Sequence, residues 1–490
     1  MIYRKYKDLH TIVAIVLLVL QTGCRKLVTV PAPVTQLSSV NVYTDNSTAA
    51  AVLTGIYVNL DGGLPIPPSS GAGISNISLL CGLSADELTL YSASGNSSSL
   101  MTQFYQNALT AGSPTTEPAT ILGNCYAQIY IANQALEKLA ASTTLSPAVK
   151  QQLTGEAEFM RAFLYFYLIN LYGSVPLTTS SNYATNATLS CSGSAAVYQQ
   201  IISDLKSAQT LLSNGYVASD AMTPTTERMR PNKWAATAFL ARVYLYTGVY
   251  DSAELQATSV INNLTMYDTA SLDNTFLSNS NEAIWQLQPV NAGMNTNDAW
   301  IFILPPTGPT NSLSAHPVYL SPQLLASFEP GDMRRTHWVD SVVVNGIIYN
   351  YAYKYKSATL NAPVTEYEMV LRLGEQYLIR AEARAQQSNI SGAQVDLNVI
   401  RSRAGLPSSG ANDQVSLLKA IGRERQVELF TEWGHRWMDL KRTGKVDLVM
   451  GMPGNVCAQK GGTWSTNWQW YPLPAFDITL DPNMTQNEGY

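Results

Sequence analysis

The sequence is short of charge. Asp, Glu, Lys and Arg make up 13% of its 490 residues, about half of the roughly 25% usual for soluble domains. There is no basic excess, since 30 Lys and Arg face 35 Asp and Glu. That excludes a nucleic-acid binder whose affinity rests on neutralising phosphates. Histidine is scarcer still, with four: His10, His316, His337 and His435. Neither His-Glu-x-x-His, nor Gly-x-Ser-x-Gly, nor a phosphate-cradling Gly-Lys loop occurs. Ser203-Asp-Leu-Lys206 and Ser416-Leu-Leu-Lys419 fit Ser-x-x-Lys, but both sit on amphipathic helical stretches without companion motifs. Asp86 and Glu87 are adjacent carboxylates, and neighbours on an extended strand point to opposite faces. Hydrolysis by carboxylates from distant parts of the chain stays open as a minor alternative.

Cysteine is also sparse. There are five, and none forms Cys-x-x-Cys, so neither a zinc site nor a thioredoxin-like centre is indicated. No metal or cofactor is expected. Beyond the leader, Cys81, Cys125, Cys191 and Cys457 read as isolated thiols, with disulfides open in an oxidising compartment. Long apolar runs are missing except for Ile12 to Leu20, which is too short to span a bilayer. Arg4, Lys5 and Lys7 precede it, and Leu20-Gln21-Thr22-Gly23-Cys24 follows. A basic start, an apolar run and a small residue before Cys resemble a bacterial lipobox. The reading is a signal peptide over 1–23 cut before an acylated Cys24, with an ordinary signal peptide as the alternative. Removing a leader of net charge +2 from a chain of −5 leaves −7, so membrane attachment would rest on the acyl chains alone. Residues 24–40, with Pro31 and Pro33, read as a tether.

What is abundant is apolar residues, 46% of the chain, and tyrosine, 27 against 10 Phe and 9 Trp. Helical spacing recurs over Thr48–Leu60, Ala119–Ala141, Pro147–Tyr172, Val197–Leu212 and Lys233–Tyr246. Ser146 and Pro147 mark a helix start, and Gly173 with Pro176 marks its end. The stretch Phe159 to Tyr172 is apolar on nearly all sides, as a central helix requires. Lys233–Tyr246, closed by Gly248, pairs with a helix capped by Asp251 and running to about Asn262. Small residues (Ala235, Ala236, Ala238, Ala241) allow the two to approach closely, as in tetratricopeptide repeats. Glu366–Gln387 and Ser391–Arg403 repeat the arrangement, and Val415–Arg442 is the last long helix. The fold expected is mainly α: a tetratricopeptide-like helix-hairpin scaffold (about 119–265 and 366–443) with a few short strands. Loop-rich insertions (about 62–117 and 267–364) interrupt it, all within one domain over 41–490. Ala283–Leu287 and Val342–Tyr349 read as strands.

Five blocks, in order, carry a family resemblance. They are Glu156-Ala-Glu-Phe-Met-Arg-Ala-Phe-Leu-Tyr-Phe166 with Leu171-Tyr-Gly-Ser-Val-Pro-Leu177; Asn232-Lys-Trp-Ala-Ala236 through Tyr246; Leu371-Arg-Leu-Gly-Glu-Gln-Tyr-Leu-Ile-Arg-Ala-Glu-Ala383 with Leu397-Asn-Val-Ile-Arg-Ser-Arg-Ala-Gly-Leu406; Glu424-Arg-Gln-Val-Glu-Leu429 through Arg442; and Tyr471-Pro-Leu-Pro474 through Tyr490. Together they resemble the SusD/RagB family of Bacteroidetes outer-membrane lipoproteins. The resemblance implies a protein that binds oligosaccharide and passes it to a SusC-like TonB-dependent outer-membrane transporter, without being an enzyme. A peptide-binding, RagB-like receptor is the alternative. It also implies lipid anchoring at the outer membrane and display at the cell surface. Arg25 and Lys26 depart from the acidic residues that often follow the lipidated Cys in surface-exported members.

By position, the ligand segments are Ala85–Gln106 and Pro289–Leu320. The ligand-binding candidates are Trp300, Tyr91, Asp86, Asn96, Asp298 and Tyr319, with Phe104, Tyr105 and Asn297 beside them. Trp300, flanked by Asn295, Asn297 and Asp298, either stacks on a ligand or packs on the scaffold. Trp285, Trp433, Trp437 and Trp470 are expected in structural positions. Arg161, Arg372, Arg380, Arg401, Arg403, Glu424, Arg425, Glu428 and Arg436 look like a catalytic or anion-binding set. They are read instead as ion pairs that hold the hairpins together.

Overall fold

The computed structural model describes residues 42–62, 76–91, 100–112, 117–310, 316–452 and 454–490. The leader, Cys24, the tether and Asn96 lie outside the described residues. In chain order the elements used below are α1 (Asn46–Asp61), α2 (Ile77–Ser84), β1 (Leu88–Leu90), α3 (Glu117–Ala141), α4 (Pro147–Tyr172), α5 (Ser194–Leu211), α6 (Lys233–Tyr246) and α7 (Tyr250–Ile261). They continue with β2 (Ala283–Leu287), α8 (Asn297–Phe302), β3 (Val318–Leu320), β4 (Val339–Val344), β5 (Ile347–Ala352) and β6 (Glu368–Arg372). The last are α9 (Leu373–Gln386), α10 (Ile390–Arg403), α11 (Gln414–Glu428) and α12 (His435–Arg442).

Helices α3 to α7 pack each against the next, and α7 then packs against α9, which carries α10 and α11. The hairpin stack is therefore continuous although about a hundred residues of insertion separate α7 from α9. The tetratricopeptide-like scaffold expected from the repeats is present. Helix α4 is its axis: every residue from Phe159 to Tyr172 is buried. Phe163 of α4 meets Trp285 of β2 edge-on at 5.2 Å and Trp433 at 5.6 Å. The main core thus runs from the stack into the insertion and the C-terminal segment. Trp285, Trp433 and Trp437 are buried in it, as expected. Trp470 is half-buried and covers Gly173, whose φ of +78° ends α4.

Helix boundaries follow local chemistry with instructive exceptions. Asn232 caps α6 by accepting from the backbone N–H groups of Trp234 and Ala235, both at 3.0 Å. Ser146 stands before Pro147 as expected, but its hydroxyl accepts from Asn46 Nδ2 at 3.2 Å and caps nothing. Asp251 is not a cap either. It lies in the first turn of α7, where a carboxylate favours the helix dipole.

Three expectations need correction. Residues 368–372 are not helical but form strand β6, antiparallel to β2, and all five are buried. The helix begins only at Leu373, because Met369, Val370 and Leu371 are consumed by pairing and core contacts. The final helix is two helices. Between α11 and α12 the backbone turns left-handed at Thr431, Trp433 and Gly434. This break drives Trp433 inward, where its indole N–H donates to Met369 O at 2.8 Å. Gly434 is required there: a Cβ would sit 2.8 Å from Cys81 Sγ on α2. Finally, Val342–Tyr349 is a hairpin, β4–β5, turning at Asn345-Gly346, both with positive φ. That is the type I′ turn an Asn-Gly pair favours.

The charged residues of the repeat helices form ion pairs between elements, as expected. Arg161 on α4 holds Asp204 on α5 through two hydrogen bonds of 2.7 and 2.8 Å. Arg242 on α6 holds Glu375 on α9, and Arg380 on α9 holds Asp396 on α10. The densest cluster surrounds Arg372, which reaches Glu282 at 2.9 Å, Glu428 at 2.6 Å and Glu432 at 2.8 Å. Arg334, Arg403 and Lys354 join it through Glu424, Glu428, Glu282 and Glu432. The four thiols Cys81, Cys125, Cys191 and Cys457 are unpaired, and only Cys191 is not buried. Among the described residues, no helix is long and apolar enough to cross a membrane.

Removing Arg372 leaves Glu282, Glu428 and Glu432 short of a shared counter-charge in the interior. Arg372→Leu is expected to lower stability by about 3–5 kcal/mol. Urea unfolding followed by tryptophan fluorescence checks this, and a cost below about 1 kcal/mol would contradict the central role of the cluster.

Candidate functional site

Strand β1 pairs antiparallel with β3, opposing Leu88 to Leu320, Thr89 to Tyr319 and Leu90 to Val318. Leu88, Val318 and Leu320 turn inward, so the alternation sends Tyr319 to the outer face. Tyr91 extends the pairing, its N–H donating to Pro317 O at 2.8 Å. The β4–β5 hairpin packs against β3 and brings Tyr349 between the other two rings. Tyr349 meets Tyr91 edge-on at 5.8 Å and Tyr319 edge-on at 5.2 Å. All three rings are half-buried. At the hairpin tip Val343, Ile347 and Ile348 are exposed, forming an apolar lip.

Helix α8 touches β3. Thr296 caps it, its hydroxyl accepting from Ala299 N at 3.0 Å. Trp300 is half-buried on α8 and lies 5.6 Å from the His316 ring. On the other side of β3, Tyr319 and Tyr105 line a pocket of about 220 Å³ with Thr89, Gln323, Gln459 and Lys460. The Lys460 ammonium is 5.0 Å from the Tyr105 ring and donates to Leu83 O at 2.6 Å. Its burial lowers its pKa to about 7.

The structure thus separates the sequence candidates by chemistry. Tyr91, Tyr319 and Tyr105 come together around β1 and β3, and Trp300 stands on α8, which touches β3. The polar candidates are drawn into the fold. Asp86 is buried, and its carboxylate takes two hydrogen bonds of 2.7 Å from Arg436. Burial pushes that carboxyl up, but the guanidinium outweighs it and holds the pKa below the ordinary value. Glu87 is buried beside it, and burial with the Asp86 charge raises its pKa to about 8. Asn297 is buried, donating to Asp61 O at 2.7 Å. Phe104 is a core residue, edge-on to Tyr471 at 5.2 Å. Tyr349, His316, Gln323 and Gln459 were not among the candidates. The Asn345-Gly346 pair is the one sequence signal for Tyr349 that went unread, because it sets the hairpin register.

Asp298 is also buried, directly beneath the site. Its side chain hydrogen-bonds Glu368 on β6 and Ser78 on α2. Tyr355 Oη donates to Glu368 Oε1 at 3.2 Å. Burial raises the pKa of both acids, and their mutual charge raises Glu368 further. Asp61 lies near the same pair, and burial raises it to about 7 against the opposing Val290 N–H bond.

Comparison with known proteins decides the family. A family model described as "Starch-binding associating with outer membrane" matches residues 83–245, and one described as "SusD family" matches 340–490. The chain belongs to the SusD/RagB family. A relative, SusD-like protein P38 of Formosa agariphila, is 25% identical over 437 residues, covering 74% of this chain and 78% of the relative. A SusD superfamily protein of Bacteroides vulgatus has the same fold, with a TM-score of 0.77 at 20% identity over 91% of this chain and 99% of its own. A laminarin-binding SusD-like protein superposes with a TM-score of 0.69 at 24% identity, over 90% of this chain and 99% of its own. This SusD-like chain therefore sits in a carbohydrate-binding, outer-membrane-associated family, and its aromatic face lies on the insertions rather than on the repeats.

Raised carboxyl pKa values in the native state give a signed pH effect. The stabilisation from the protonated Asp298–Glu368 pair is complete below the ordinary carboxylate range and is lost as pH rises through the raised native values. Asp298→Asn, neutral at every pH, should therefore gain melting temperature relative to the parent between pH 5 and pH 8. Thermal melts across that range check it, and a difference independent of pH would count against a shared proton.

Proposed function

We propose that this SusD-like protein binds an uncharged oligosaccharide on the aromatic face around β1, β3 and α8. It then passes the ligand, chemically unchanged, to a SusC-like TonB-dependent transporter in the outer membrane. The observation that carries this reading is the set of half-buried rings Trp300, Tyr91, Tyr319 and Tyr349, gathered from three separate segments. Sugar rings present C–H faces that pack on aromatic side chains, while amides such as Gln323 and Gln459 suit hydroxyls. The carboxylates near this face are buried, paired or protonated, so its field is weak and favours a neutral ligand. The laminarin-binding neighbour and the starch-binding description of the matched model support a glucan. In this reading an acylated Cys24 holds the protein at the membrane, at the cell surface.

Calorimetric titration with laminarin and starch oligosaccharides, and with peptides in parallel, tests the proposal. Peptide binding without a glycan response would favour a RagB-like receptor, and product release from a bound glycan would reveal an enzyme. Trp300→Ala should weaken glycan binding by about 1–3 kcal/mol, the range for a ring stacked on an aromatic side chain, with the melting temperature unchanged. Unchanged affinity would remove Trp300 from the site. Cys24→Ser should release the protein into the soluble fraction, whereas retention in the membrane would require a second anchor.

A further inference from the structure

A cleft on the helical stack of this mildly acidic protein is lined mainly by cations. The cleft, of about 660 Å³, opens between the α6–α7 turn, α9, α11 and α12. Its walls include Lys419, Arg423, Arg425, Arg436, Arg442 and Lys445, against the carboxylates of Glu382 and Asp439 alone. The chain as a whole carries −5.

The hydrogen bonds of these groups leave one imbalance. Arg442 is satisfied by Glu382, at 2.6 and 2.8 Å, and by Asp439. Arg436 is held by Asp86, and Arg423 Nε donates to Ser327 O at 2.9 Å. Arg425 is different. Its Nε reaches Asp439 Oδ2 at 2.7 Å, but Nη1 and Nη2 are both buried and have no hydrogen-bond partner. The residue is only 2% exposed. The Tyr246 hydroxyl, on the same wall, is also buried without a partner. Above them Lys419 and Lys445 are exposed and make no ion pair among the described residues. Gly422 keeps the floor of α11 low here: a Cβ would lie 3.6 Å from Lys445 Nζ. Lys419, Gly422, Arg423 and Gln426 follow helical spacing along this one face of α11.

Two parallel N–H donors left unpaired in a buried site cost free energy, more so on a charged group. The Nη1–Nη2 edge of a guanidinium matches two oxygens of a carboxylate, sulfate or phosphate. We propose that this cleft is a second ligand site that binds an oxyanion-bearing small molecule, either a free oxyanion or an acidic sugar residue. Arg425 grips two of its oxygens, Tyr246 donates a third hydrogen bond, and Lys419 and Lys445 attract it at the rim. The volume lies within the range of small-molecule pockets and exceeds what a bare ion needs. The site shares no residue with the aromatic face, and the two differ in electrostatic character.

Isothermal titration of the full chain with sodium sulfate and with sodium glucuronate, each against sodium chloride at matched ionic strength, tests the inference. One-to-one binding of sulfate or glucuronate, absent with chloride, is expected. Equal response to both marks a general oxyanion site, and a preference for glucuronate marks the acidic sugar as carrier. Lys419→Ala/Lys445→Ala changes exposed side chains and should weaken binding about tenfold with folding intact. Arg425→Lys keeps the charge but loses the forked edge and should weaken it at least as much. Trp300→Ala should leave it unchanged. An identical response to chloride, or retention of full affinity by both the lysine pair and Arg425→Lys variants, would overturn the proposal. Loss of binding in Trp300→Ala would overturn the separateness of the site.

Discussion

One buried guanidinium fixes the relation between the scaffold and the insertion. Arg372 ends β6 and immediately precedes α9, so it stands where the chain leaves the insertion and rejoins the hairpin stack. Its nitrogens reach Glu282 from the insertion and Glu428 and Glu432 from the C-terminal helices. Arg403 and Arg334 bridge to the same Glu428. Charges this deep are tolerated only when each has several partners. The consequence is positional: β2 and β6 cannot slide, and α10 and α11 cannot separate, without stranding a charge. The α7–α9 contact has its own bridge, Arg384 Nε donating to Glu254 Oε1 at 2.8 Å.

A fixed frame allows the excursion to carry short, weak elements. Strands of three residues such as β1 and β3 have little stability of their own. They are held because Leu88, Val318 and Leu320 reach the main core, and because Ser321 donates to Asp86 O at 2.5 Å and to Glu87 O at 2.8 Å. Asp86 in turn is bound to Arg436 on α12. A chain of specific contacts therefore runs from the C-terminal helices to the strand that carries the aromatic face. The Asp298–Glu368 contact ties α8 to β6 in the same way. The polar residues of these segments serve mainly as supports, and the rings they support are what remains at the surface.

The two surfaces described here contrast because their residues came from different constraints. The face around β3 has aromatic rings, amides and one largely buried lysine, which suits a ligand with hydroxyls and C–H surfaces. The cleft on the helical stack has forked and pointed cations with few acids. Helix-to-helix ion pairing saturates most of the arginines there, and Arg425 is left with a free edge because Asp439 is shared with Arg442.

Local chemistry in the sequence determined much of the scaffold. Pro147 and Gly173 bound α4, Asn232 caps α6, and the buried run Ala283–Leu287 is a strand as its pattern demands. The family resemblance rests on these same helices, which is why fold and family were both legible. Availability of the candidate ligand residues was decided elsewhere. Asp86 is silenced by an arginine 350 positions away, and Asp298 on α8 by a glutamate on β6. The break at Trp433 depends on contacts with α2, β6 and α4 that no neighbouring residue announces. Periodicity, caps and turns act within a few residues and can be read along the chain. Whether a polar side chain faces a ligand or a distant counter-charge is settled only when burial brings the two together, because the cost of an unpaired buried charge selects its partner irrespective of distance in sequence.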